Sequence, residues 1–158
     1  MTVLSDLREE ITELLRQGLG ETASVTGEYP GLGRTYPLTM PSVAVGIAET
    51  AVSRLDYLGE QDAGTASGRR WEVSFRLELS VPRRSGAGEL CRLFDRTAEL
   101  LLAFGSRYGL SEIRCGRTEY ARERDCFLMD CTAVCVREET STQPGTAITG
   151  FEVTRRSD

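Results

Sequence analysis

Apolar side chains recur at three- and four-residue spacing over residues 2–18, where Val3, Leu4, Leu7, Ile11, Leu14 and Leu15 fall opposite Arg8, Glu9, Glu13 and Arg16. That period predicts an amphipathic helix with one buried face. Thr2 or Ser5 can cap its start, and Gly18 or Gly20 can end it. A short strand is expected around Thr22 to Thr26. Ser42 to Ala51 then alternates Val43, Val45 and Ile47 with Ala44, Gly46 and Ala48, the pattern of a strand whose second face is small enough for something else to approach closely. The clearest signal is Trp71, Val73, Phe75, Leu77, Leu79 and Val81 alternating with Glu72, Ser74, Arg76, Glu78 and Ser80. It predicts a long strand, ended by Pro82, with one buried face and one charged face turned to water or a hydrated partner.

A second helix is expected from Ala87 to Phe104, with Leu90, Leu93, Phe94, Thr97, Leu100, Leu101 and Phe104 as its apolar stripe and Gly105 as its stop. Ser111 to Tyr120 and Cys126 to Val136 read as a hairpin around the charged turn Ala121 to Asp125. Centred near Glu123, the hairpin sets Cys115 opposite Cys131, Ile113 opposite Ala133 and Glu119 opposite Phe127. This register gathers Ile113, Cys115, Phe127, Met129, Cys131 and Cys135 on one apolar face. A terminal strand, Ala147 to Thr154, can follow the turn at Pro144-Gly145, within a C-terminal strand and tail spanning residues 138–158. The order predicts one α+β domain over residues 1–158: an antiparallel or mixed sheet of about five to six strands with two helices packed on one face. The other sheet face is expected to be uncovered, and neighbouring copies would be one way to cover it.

Two stretches lack either period. Tyr29 to Pro41 is rich in Pro and Gly and long for a connection, and Glu60 to Arg69 is polar and glycine-rich. The first is open to two readings, a binding element or plain surface chain; the second is expected to be mobile.

Composition narrows the chemistry. A 40% hydrophobic share over 158 residues is enough for a single core. The first ten residues include Asp6, Arg8, Glu9 and Glu10, so no signal peptide is expected there, and no apolar run is long enough to span a bilayer. A soluble cytoplasmic protein with no membrane partner is the expectation. Net charge is −5 and the arginines are dispersed, which disfavours nucleic-acid binding through a cationic surface. There is no His, Lys or Asn, and all 19 basic residues are Arg. The missing Lys and Asn point to a GC-rich genome. The missing His and Lys remove the commonest general base, the commonest metal ligand, Schiff-base chemistry and the phosphate-loop lysine, so an enzyme is not expected.

The five cysteines carry no Cys-x-x-Cys, and Cys131 and Cys135 on one strand would lie about 13 Å apart, too far for one zinc ion. Buried thiols are the main reading; a Cys115–Cys131 cross-strand pair, kept reduced in a cytoplasm, is the other. Glu9-Glu10 and Glu138-Glu139 read as solvated acids. Tyr29 to Gly33 lacks the following helix that a phosphate site needs. Trp71, Phe75 and the second helix's leucines could line a pocket, but their spacing is that of core packing. No catalytic, cofactor or metal residue is assigned.

The run Pro41-Ser42-Val43-Ala44-Val45-Gly46-Ile47, then Tyr57-Leu58-Gly59, then Glu72-Val73-Ser74-Phe75 through Val81-Pro82, resembles the tail-terminator (tail-completion) proteins of phage and prophage tail modules. The likeness continues in Gly88-Glu89-Leu90-Cys91-Arg92-Leu93-Phe94-Asp95, in Ile113-Arg114-Cys115-Gly116 with Tyr120, and in Phe127, so that it covers about residues 1–137. It implies two helices on one sheet face and a structural protein of the virion, with no catalytic residue and no cofactor. It further implies a homo-oligomeric ring, six-fold in better-known relatives, that caps the tail tube at its head-proximal end and meets the tail-tube protein and the head–tail connector. On that reading Tyr29, Leu32, Arg34, Tyr36 and Leu38 of the first loop, with Arg69 and Arg70 of the second, are candidate interface residues. Glu72 and Glu78 are candidate lumen residues, past which DNA would slide without specific binding. Another connector or tail-tube ring protein, or a small non-viral ligand-binding α+β domain, remains the alternative.

Overall fold

A computed structural model describes residues 3–27, 38–55, 65–103 and 109–143. Helix α1, Val3–Leu19, buries Val3, Leu7, Ile11, Leu15 and Leu19, one residue per turn along a single stripe. Gly20, with φ +59°, ends it in a backbone conformation that costs glycine little. Helix α2, Ala87–Ala103, buries Leu90, Leu93, Thr97 and Leu101. The Thr97 hydroxyl is satisfied inside the helix by donating to the Leu93 carbonyl at 2.8 Å, so it joins the apolar stripe without an orphaned polar group.

The strands are β1 (Ser24–Thr26), β2 (Ser42–Leu55), β3 (Thr65–Pro82), β4 (Leu110–Cys115), β5 (Glu119–Ala121) and β6 (Cys126–Gln143). They form one mixed six-stranded sheet in the order β1-β2-β3-β6-β4, with β5 also paired to β6. With two helices this is the expected α+β class. Backbone contacts divide the chain into two compact units, Met1–Thr50 with Val73–Cys135 and Ala51–Glu72 with Val136–Asp158. The boundary cuts β2, β3 and β6, so neither unit is a contiguous stretch of sequence.

In the first unit α1 packs against β1 and α2, and α2 packs against β4. Two helices that touch each other and reach opposite sheet edges share one face. Their approach is close: a Cβ on Gly18 would sit 2.5 Å from Leu100 Cδ1. Beneath them Val73, Phe75, Leu77, Leu79 and Val81 are fully buried, joined by Met129, Cys131, Ala133 and Cys135.

Several expectations change. The sheet's second face is not bare throughout. Leu38, Cys126 and Leu128, with Ala121 against them, form a separate buried cluster there, and Glu78 and Ser80 are buried too. Strand β1 pairs with β2 in parallel, Val25 opposite Val43. A parallel pair needs a crossover of a dozen or more residues, so the length between Thr26 and Ser42 has a reason within one chain. The β4–β6 register is the expected one, Cys115 opposite Cys131 and Ile113 opposite Ala133. Beyond Gly116, whose N–H donates to the Asp130 carbonyl at 2.8 Å, it slips by one residue and Glu119 meets Leu128 rather than Phe127. Two residues there oppose one, which is the count of a β-bulge. Cys115 is exposed rather than part of the apolar face, because it ends an edge strand, while Ile113 and Phe127 are half-buried. Thr65 to Arg69, expected in a loop, belongs to β3, and β6 runs to Gln143. Tyr57–Gly59, Phe104 and the terminal strand at Ala147–Thr154 lie outside the described residues.

Candidate functional site

Two surfaces have the chemistry of contact regions. The first lies in the second unit, where the end of β2 exposes four consecutive residues, Ala51 to Arg54, and Val52 keeps 48% of its surface. Side chains alternate along a strand, so four exposed positions in a row mean that both faces are open. In the same unit the Trp71 indole N–H donates to Glu139 Oε1 at 3.3 Å, and the Arg69 guanidinium lies 3.8 Å from the same carboxylate oxygen. Arg69 and Trp71 share a parity on β3, so one acid on β6 serves both. Glu139, a solvated acid by its sequence context, is the residue that organises this patch.

The second surface lies in the first unit, around the turn before β6. Asp125 sits at φ +51°, a left-handed position that Asp tolerates better than most residues. Its carboxylate accepts from the Tyr120 hydroxyl at 2.7 Å and pairs with Arg83 Nε at 2.9 Å, while its carbonyl accepts from the Arg83 N–H at 3.3 Å. The hydrogen bond to Asp125 raises the Tyr120 phenol above its ordinary pKa, since the proton is held between the two. Tyr120 also meets Phe127 at 5.5 Å between ring centroids and is 46% exposed. Arg84 donates to the Thr39 carbonyl at 3.0 Å, and Leu38, Thr39, Pro82, Arg83, Arg84 and Asp125 line an open groove.

The residues singled out from the sequence separate accordingly. Tyr29, Leu32, Arg34 and Tyr36 lie outside the described residues. Leu38, expected at an interface, is buried in its own chain against Cys126 and Leu128, because an apolar side chain beside the second sheet face is drawn into the nearest core. Arg69 is exposed and paired with Glu139; Arg70 is half-buried. Glu72 is exposed, as a lumen residue would be, but Glu78 is not: it is 5% exposed and ion-paired with Arg124 at 3.3 Å. A buried carboxylate needs such a partner, and Arg124 in the turn before β6 supplies it. Sequence alternation marks Glu78 as polar and outward, but gives no sign that Arg124, in the turn before β6, reaches it.

Among the described residues no three His, Cys, Asp or Glu side chains converge as ligands for a metal ion, and no helix is long and apolar enough to cross a membrane. No family model and no curated protein matches the chain.

Proposed function

We propose that this chain is a structural subunit of the phage tail-terminator kind, one copy of a six-membered ring that caps the tail tube at its head-proximal end and offers its outer side to the head–tail connector. The observation that carries the reading is the stretch Ala51 to Arg54, a strand segment exposed on both faces with Val52 half open to solvent. Such segments in small proteins are covered or protected, and a neighbouring copy is a direct way to cover one. The resemblance along residues 1–137 supplies the kind of assembly. A contact between unlike surfaces that closes by rotation gives a ring, whereas one that does not close gives a filament.

Native mass spectrometry and negative-stain microscopy of the purified chain test this. Closed six-membered rings that stop the growth of tubes made from the tail-tube protein are the expected result. Filaments of the chain alone would make it a tube subunit. A monomer that persists at high concentration and leaves tube growth unchanged would remove the proposal.

A further inference from the structure

We propose that Cys115 and Cys131 form a redox-closable staple, an oxidative modification site that joins edge strand β4 to β6. The two residues lie directly opposite each other in the antiparallel ladder. The neighbouring pair, Gly116 and Asp130, is hydrogen-bonded through the backbone, so by alternation Cys115–Cys131 is a non-hydrogen-bonded pair. Opposed Cα atoms in such pairs are about 4.5 Å apart, inside the roughly 4.4–6.8 Å range that a disulfide spans. The Cys115 thiol is near enough to Cys131 to help raise the pKa of the Cys131 thiol. No other cysteine is placed in this way among the pairs of β4, β5 and β6. Cys126 and Cys135 are buried elsewhere on β6, and Cys91 is exposed on α2.

The two partners have different roles. Cys115 is exposed, so an external reagent reaches it first. Cys131 is fully buried, and burial, together with the neighbouring Cys115 and Asp130, pushes its thiol up to about 12. With a low-molecular-weight disulfide RSSR as oxidant, the Cys115 thiolate attacks one sulfur and releases one RS⁻, leaving Cys115 as a mixed disulfide. Cys131 then loses its proton and attacks the Cys115 sulfur, expelling the second RS⁻. Cys115 and Cys131 are oxidised together, RSSR is reduced to two RSH, and two protons move from protein to product. The first step needs access and the Cys115 thiolate. The second waits on a scarce thiolate.

The test is incubation of the folded full-length chain with glutathione disulfide at several pH values, followed by acid quenching, unfolding, alkylation of remaining thiols and peptide mapping. Two thiols should be recovered as a Cys115–Cys131 linked peptide, with Cys126 and Cys135 still alkylated; exposed Cys91 should carry glutathione at most, because no second cysteine stands opposite it to displace the glutathione. Closure should quicken about tenfold per pH unit between about pH 7 and 9, because the thiolate fraction of Cys131 rises in that proportion well below its pKa. Cys115→Ser, a change at an exposed position, should leave Cys131 unreactive. A mixed disulfide that remains on Cys115 while Cys131 is alkylated after unfolding would overturn the proposal. So would oxidation of Cys131 in the Cys115→Ser chain, or a link mapped to Cys91.

Discussion

Within one continuous strand, β2, Ser42 to Gly46 is buried on both faces, whereas Ala51 to Arg54 is exposed on both. Local sequence does not separate the two halves cleanly. Val43 and Val45 are fully buried, yet Val52, with the same β-branched side chain and the same strand preference, is 48% exposed. What differs is the company each half keeps. The first half has β1 paired at its edge, with Val25 opposite Val43, and small Ala44 and Gly46 let neighbours come near. The second half ends in Ser53 and Arg54. Alternation decides that the backbone extends; the neighbours decide whether its side chains meet protein or water.

The contrast can be broken most forcefully at Val45. Val45→Asp places an unpaired charge in a fully buried position and should cost about 4 kcal/mol, enough to abolish the cooperative urea transition. Retention of a normal transition would mean that this half of β2 is not enclosed. Leu38→Ala, just before the same half, should lower stability by about 2–3 kcal/mol by opening a cavity against Cys126 and Leu128. Full stability with impaired assembly would instead return Leu38 to the interface role expected from sequence. Val52→Asp is the mild counterpart: stability within about 0.5 kcal/mol of the parent, measured on dissociated chains, but a shift toward smaller species in sedimentation. If the assembled fraction is unchanged, the exposed half of β2 is not a contact surface.

Elements with a strong period are readable from the order of residues alone. Helix α1 and the buried series from Val73 to Val81 follow from spacing, because each commits one face to the core. The Cys115–Cys131 register is legible as well, since the turn and the apolar pattern point to the same pairing. The slip beyond Gly116 is not, because a bulge is a local adjustment that leaves no period in the sequence. The fate of Glu78 is hidden for a different reason. It is buried against Arg124, a residue far away along the chain, and no window around Glu78 contains that partner. The same holds for Glu139, whose place between Arg69 and Trp71 exists only once β3 and β6 share the second unit.

The strand order carries a consequence for synthesis. Strand β3 is interior, yet one of its two neighbours, β6, is the last strand of the described chain to leave the ribosome. Until then β3 presents a long, strongly apolar edge, with α2 translated but β4 still waiting for the same partner. Pairings between distant segments form slowly, and an open edge of this kind invites association with other nascent chains. The sheet therefore closes only once β6 has emerged, and chaperone protection matters most in the interval between the appearance of β3 and that of β6.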